Sequence, residues 1–322
     1  MLTLFRILLV LCALLMARGA ASADASGPLP REVSLNGVEM VLIPEGWFWY
    51  TVSVDTYKLP AETIPYRHVR VWLDSFYLAK YEARASDLLR FMNAGAASVE
   101  TLAIQAALVK KWEDDIQHKL PECTLRHQPD GSWALADPSR DLPATNLTWT
   151  LATEFAAWMG LRLPTEAEWE KGARGTDKRI WPWGNTYPDD TYGRFGWSGV
   201  DCDPAPVDAY PRGRSPYGLY NMAGNVGEYV ADWFNQGFDD ALTNGLRNPP
   251  LAPHASQEPD AVPEKISKGG VWTTDSTSIR IETRRTTERY WAQTRDGVRF
   301  AADLATVRAH LARQAATPEG QR

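Results

Sequence analysis

Cysteine and histidine are scarce in this chain, with 3 Cys and 5 His in 322 residues. So few thiols exclude a disulfide-packed scaffold. Charge of one sign is also missing, since 34 Lys+Arg stand against 40 Asp+Glu. With 44% hydrophobic and 23% charged residues, the chain is neither disordered nor collagen-like. Long hydrophobic runs are absent too: the longest, residues 7–16 (ILLVLCALLM), is about ten residues and too short to cross a bilayer. What is abundant is aromatic: 14 Trp, 12 Tyr and 9 Phe. Such an indole load marks large buried flat surfaces or a lined pocket.

The apolar run follows Arg6 and precedes Ala21-Ser22-Ala23, a small-x-small cleavage pattern, so residues 1–23 read as a secretory signal peptide. A retained N-terminal anchor is the other reading. Cys12 lies inside the run rather than after it, which argues against a lipoprotein anchor. Removing the segment takes Arg6, Arg18 and Cys12, so 34 basic groups fall to 32 against 40 acidic ones. An acidic exported chain is a poor partner for nucleic acid, and after cleavage it has no membrane segment. The expected location is periplasmic or secreted. The two remaining cysteines, Cys123 and Cys202, can close one long loop, worth about 4 kcal/mol in the chain-entropy picture. They can equally be unrelated buried thiols or, less naturally, a thiolate pair on a metal.

Residues 24–30 form a small-residue linker. Residues 33–50 alternate apolar and polar around Gly37 and Pro44-Glu45-Gly46 and predict a β-hairpin, and residues 69–81 predict further strand. Helices are predicted over 86–93, 98–118, 150–159 and 166–175, the last opened by the capping pattern Thr165-x-x-Glu168. From 180 to 300 the helical signal stops, and the density of Gly, Pro, Asn and aromatics predicts a compact irregular region. A short helix and a polar tail close the chain at 303–322.

Four blocks then resemble the formylglycine-generating-enzyme-like (sulfatase-modifying factor) family. They are VEMVLIPEGWFWY (38–50) with HVRVWLDSFYLAKYEA (68–83); DLPATNLTW through RLPTEAEWEKGARG (141–175) with WPWGN (181–185); APVDAYPRGRSPYGLYNMAGNVGEYVADW (205–233); and KISKGGVW (265–272) with DGVRFA (296–301). The resemblance implies one irregular α+β domain over 31–302, related to the C-type-lectin fold, with tryptophan mostly in the scaffold. In character the chain is similar to periplasmic members of the pyoverdine-maturation type.

Copper-dependent members of that family carry two cysteines after a GGS segment. Here GGVWTTDSTSI puts Val271 in place of the Ser, and Thr274 and Ile279 in place of the cysteines. Thr and Ile offer a weak hard oxygen and a hydrocarbon to an ion that wants soft ligands, so neither copper nor formylglycine-generating activity is expected. Relatives with non-haem iron use a His-x-x-x-His-x-Glu motif, which is missing here. A dispersed site, for instance through His118 and His127, leaves iron open.

The family's calcium loop is matched by Asn221, Gly224, Val226 and Glu228 in YNMAGNVGEY, a set of hard oxygens that suits Ca2+; the bland alternative is a structural turn. A second family calcium site lacks its Asn, with Asp201 and Asp203 as the only acidic residues left, and is not expected. The resemblance also puts a substrate groove beside Trp272, Thr274, Asp275, Arg280, Glu282 and Arg284. Its arginines suit an anionic substrate or tie loops together. The function implied is exported maturation or oxidoreductase-type chemistry on a peptide or siderophore-like small molecule. A lectin-like binding module is the alternative, and an iron oxidoreductase a third.

Overall fold

Asn36 and Gly37 have φ of 53° and 90°, the left-handed pair that closes a tight hairpin between β1 (Glu32–Leu35) and β2 (Val38–Ile43). The computed structural model describes residues 27–52, 67–104, 106–107, 124–197, 203–253, 264–288 and 295–316. Gly46 (φ 145°) then redirects the chain, and β3 (Gly46–Val52) pairs antiparallel with β4 (Arg67–Leu73) instead of returning to β2. The predicted single hairpin over 33–50 is therefore two pairings. β2 takes β5 (Phe76–Ala79) as its other neighbour, in a sheet ordered β1-β2-β5-β12, with β12 at Ala301–Asp303. A short hairpin joins β6 (Leu125–His127) and β7 (Trp133–Leu135).

The stretch predicted to be irregular holds a second four-stranded sheet. Its order is β10 (Arg284–Glu288), β9 (Glu264–Lys268), β8 (Gly227–Trp233) and β11 (Asp296–Val298). These strands escape a pattern search for physical reasons. They are short, β11 runs parallel to β8, and the β8–β9 register shifts between Tyr229 and Trp233. Buried charges such as Glu228, Lys265 and Lys268 also interrupt the apolar alternation.

Helices α1 (Ala85–Asn93), α2 (Trp149–Trp158) and α3 (Glu166–Arg174) fall where the sequence predicts them, and α4 (Gln236–Ala241) is additional. In the predicted 98–118 helix, residues 99–104 and 106–107 are helical, and the remainder from 108 lies outside the described residues. The capping box opening α3 is present: the Thr165 hydroxyl accepts from Glu168 N while the Glu168 carboxylate accepts from Thr165 N. Every residue of α3 is buried, charged ones included. It tolerates this because each charge has a partner. Glu168 takes two bonds from Arg162, at 2.7 and 2.8 Å. Lys171 gives its protons to the carbonyls of Pro44, Gly46 and Leu73. Gly172 lies where the helix meets Leu78, and a Cβ there would force the end of that side chain to shift.

The core assembles Ile43, Phe48, Tyr50, Val71, Leu78, Trp169, Leu219, Val230 and Ile281 from the two four-stranded sheets, the β3–β4 pair, α3 and connecting segments. The indole load divides. Trp169, Trp181 and Trp272 are buried, whereas the outer face of β3–β4 carries Trp72, Trp47 and Trp49, each with a cation over its ring: Arg247 at 4.2 Å, Arg70 at 5.5 Å and Lys178 at 3.9 Å.

By internal contacts the described residues divide into two units, 31–302 and 27–30 with 303–316. In the second, α5 (Leu304–Ala316) is the described element, and Arg308 donates to the Gly27 carbonyl at 3.4 Å. Among the described residues no helix is long and apolar enough to cross a membrane. The signal-like segment 1–23, Cys123 and Cys202 lie outside those residues.

Candidate functional site

The loop entering β8 bends through three left-handed residues, Asn221 (φ 53°), Gly224 (φ 81°) and Asn225 (φ 60°). Gly224 has to be glycine twice over, by its φ and because a Cβ would fall on the Arg194 carbonyl oxygen. The two asparagines reach the same buried carboxylate. Asn221 Nδ2 donates to Glu82 Oε2 at 2.8 Å and to the Val207 carbonyl at 3.0 Å. Asn225 Nδ2 donates to Glu82 at 3.1 and 3.0 Å, and its Oδ1 accepts from Ala205 N at 2.8 Å. Asn221 Oδ1 is buried and has no hydrogen-bond partner.

Glu228 lies beyond the turn, fully buried. Arg299, also fully buried, grips it with Nη2 to Oε1 at 2.6 Å and Nε to Oε2 at 2.9 Å, and Trp169 Nε1 donates to Oε2 at 2.6 Å. Glu82 feels the same guanidinium through its charge but is bonded, among the described residues, by the two amides. Burial, with the charge of Glu228 added, pushes the Glu82 carboxyl up to about 8.

The four residues matched to the calcium loop fit a hard cation. An amide oxygen buried without a partner is the atom such an ion would satisfy, and Gly224 and Val226 belong to the same turn. Glu228 would have to share an oxygen with Arg299 or Trp169. Asp203, one of the two acidic residues left at the family's second site, is taken by Arg194 and lies 3.6 Å from Arg140, and Asp201 is outside the described residues.

The two positions where the family places cysteines do come together. A Cβ built on Gly270 would stand 2.8 Å from Thr274 Oγ1 and 2.9 Å from Ile279 Cγ2, so both side chains flank one point. Both are committed to the turn. The Thr274 hydroxyl donates to Val271 O at 2.7 Å and accepts from Val271 N at 3.0 Å. Ile279 is fully buried against Trp181 and Ala223, with Ile180, Trp183 and Phe195 alongside.

The predicted groove requires correction. Trp272 is 1% exposed, and Glu282 and Arg284 are buried as well. Arg284 is an internal strut: it bonds Glu166 twice at 2.6 Å, Asp239 at 3.0 Å and the Tyr50 hydroxyl at 3.2 Å. Burial alone would raise Glu166, but Arg284 and then Lys268 outweigh it and hold its carboxyl at about 2. Thr274, Asp275 and Arg280 retain contact with solvent, although Asp275 is spent on capping Thr277 N and Ser278 N.

What sequence reasoning missed are the exposed aromatics beside this turn. Tyr187 bonds Ser276 Oγ at 2.6 Å, and Trp197 is tied by its main-chain N–H to Trp272 O, with Arg194 4.3 Å from its ring centre. His127 is exposed and packs edge-on to Trp133, while His118 is outside the described residues. Among the described residues no group of three or more His, Cys, Asp or Glu is arranged to hold a metal.

Comparison with known proteins places these features in a family. The model of the sulfatase-modifying factor enzyme 1-like domain matches residues 26–304. A formylglycine-generating enzyme from Bos taurus is 30% identical over 284 residues, covering 79% of this chain and 71% of that protein. Hercynine oxygenase from Mycobacterium tuberculosis is 34% identical over 178 residues, 52% of this chain but 38% of that protein. Among solved structures, PvdO from Pseudomonas aeruginosa superposes with a TM-score of 0.54 at 21% identity, over 86% of this chain and 100% of that one, a likeness of fold.

Proposed function

Because the chain belongs to the sulfatase-modifying factor family, whose model spans residues 26–304, we propose that it is an exported member working without copper, in the maturation of a peptide or siderophore-like molecule. The observation carrying this reading is the pair Thr274 and Ile279. They flank one point, as a ligand pair must, yet one is a hydroxyl already bonded to Val271 and the other a buried hydrocarbon. Soft-metal redox chemistry has no thiolate to start from there. Export is supported by Arg6, the apolar run and Ala-Ser-Ala at 21–23.

Calcium completes the reading as a structural ion. Asn221 Oδ1, the carbonyls of Gly224 and Val226, and the Glu228 carboxylate would hold it. A second reading, binding without turnover, is favoured by one observation: the Thr274 hydroxyl and Asp275 Oδ1 are engaged inside their own turn.

Elemental analysis of the purified chain tests the first reading. Calcium near one equivalent and no copper is expected, with no aldehyde formed on a cysteine-bearing sulfatase peptide. Stoichiometric copper with aldehyde product overturns it. A deletion strain separates the two readings: an altered secreted peptide or siderophore supports maturation, and an unchanged profile with retained ligand binding supports the module.

A further inference from the structure

Glu82 sits in a part of the fold that cannot drift. The backbone around it is bonded on both sides: Ala79 N donates to Phe300 O, Tyr220 N to Lys80 O, Ala83 N to Val298 O, and Ala144 N to Ala83 O. Its carboxylate is 2% exposed, and its hydrogen-bond partners are the side-chain amides of Asn221 and Asn225, one at each end of the Gly224 bend. No step of the function above uses it, and the sequence analysis did not single it out.

We propose that Glu82 is the positioning residue of the calcium loop, fixing which way Asn221 presents its amide oxygen. This rests on the calcium reading and adds to it. Both Glu82 oxygens act as acceptors here, Oε2 toward Asn221 and Asn225 and Oε1 toward Asn225, and so does the Val207 carbonyl. Asn221 can satisfy both only with Nδ2, which leaves Oδ1 turned away from them, where it is buried and unpartnered. A flipped amide would set its oxygen against two acceptors. Through Asn225, which also bonds Ala205, the same carboxylate anchors the far end of the bend, so the turn that carries Gly224 is held at both ends by one group. Outer groups that orient metal ligands in this way commonly control affinity by about 10–100-fold.

The test is Ca2+ titration by calorimetry on the full mature chain, with thermal unfolding in Ca2+ and in EGTA. Glu82→Gln keeps the shape but offers Asn221 a donor as well as an acceptor. The expected result is a Kd weakened about 10–100-fold and a smaller gap between the two unfolding temperatures. If wild type binds Ca2+ and the variant binds with the same Kd while both of its unfolding temperatures fall together, Glu82 is merely structural and the inference is wrong. If wild type itself binds no Ca2+, the calcium reading fails instead. Should Glu82→Gln not fold, Glu82→Asp retains the charge but withdraws the oxygens by one methylene. A weakened Kd in that variant supports the proposal, and an unchanged one overturns it.

Discussion

Two buried carboxylate clusters lie in the same unit and behave in opposite ways. Glu166, at the start of α3, faces Arg284 and Lys268 and is held at about 2; Glu82, beside the Asn221–Asn225 bend, meets only amides and is pushed up to about 8. Burial is the largest influence on both, so the difference lies in the partners. The first cluster carries its cations with it and reads as a strut. In the second, Arg299 is bonded to Glu228 and not to Glu82, and the Asn221 amide oxygen has nothing to bind. An orphaned buried oxygen is the opening that an outside ion would fill.

The contrast can be attacked from the strut first. Arg284→Met strips Glu166 and Asp239 of their guanidinium and is expected to cost about 3–5 kcal/mol in urea unfolding, by the same amount with and without Ca2+. A Ca2+-dependent loss would join the two clusters that the comparison separates. Acid comes next. Because the Glu166 pKa lies near 2 when folded and at 4.5 otherwise, the folded chain binds fewer protons between those values. Its contribution, about 3 kcal/mol, is present above pH 4.5 and lost as pH falls toward 2. Glu166→Gln should flatten that part of the stability profile, and an unchanged slope would refute the assignment.

Removing calcium probes the other cluster. From a concentration 100-fold above Kd, EGTA should cost about 2.7 kcal/mol, and the Arg284→Met variant should lose the same increment if the clusters are independent. Smallest is Thr274→Val, which removes one turn hydroxyl. About 1 kcal/mol of stability should go, with Ca2+ affinity untouched by calorimetry.

Much of the scaffold is legible in the chain itself. Thr165-x-x-Glu168 announces a capping box, and Asn36-Gly37 sits at a true hairpin. The candidate calcium loop and the exchanged cysteine positions are legible through family blocks, not through periodicity. What stayed hidden involves distance. Glu82 lies 139 residues from Asn221, and Arg299 lies 71 from Glu228, so neither pairing leaves a local pattern. Arg284 was misread for a related reason: nothing nearby in sequence marks it as the partner of Glu166, 118 residues away. A clue existed for Glu82, a lone acid closing the apolar strand segment FYLAKYEA, and a buried acid of that kind needs partners from elsewhere.

The bond from Trp169 to Glu228 has an optical consequence. One fully buried indole of the fourteen donates to a carboxylate of the loop, at 2.6 Å. An anion beside an indole N–H alters the electric field across the ring, and a cation drawn to that carboxylate would reverse part of the change. Trp169 is thus a native chromophore wired to the loop, and its absorbance and emission should register events there without any label.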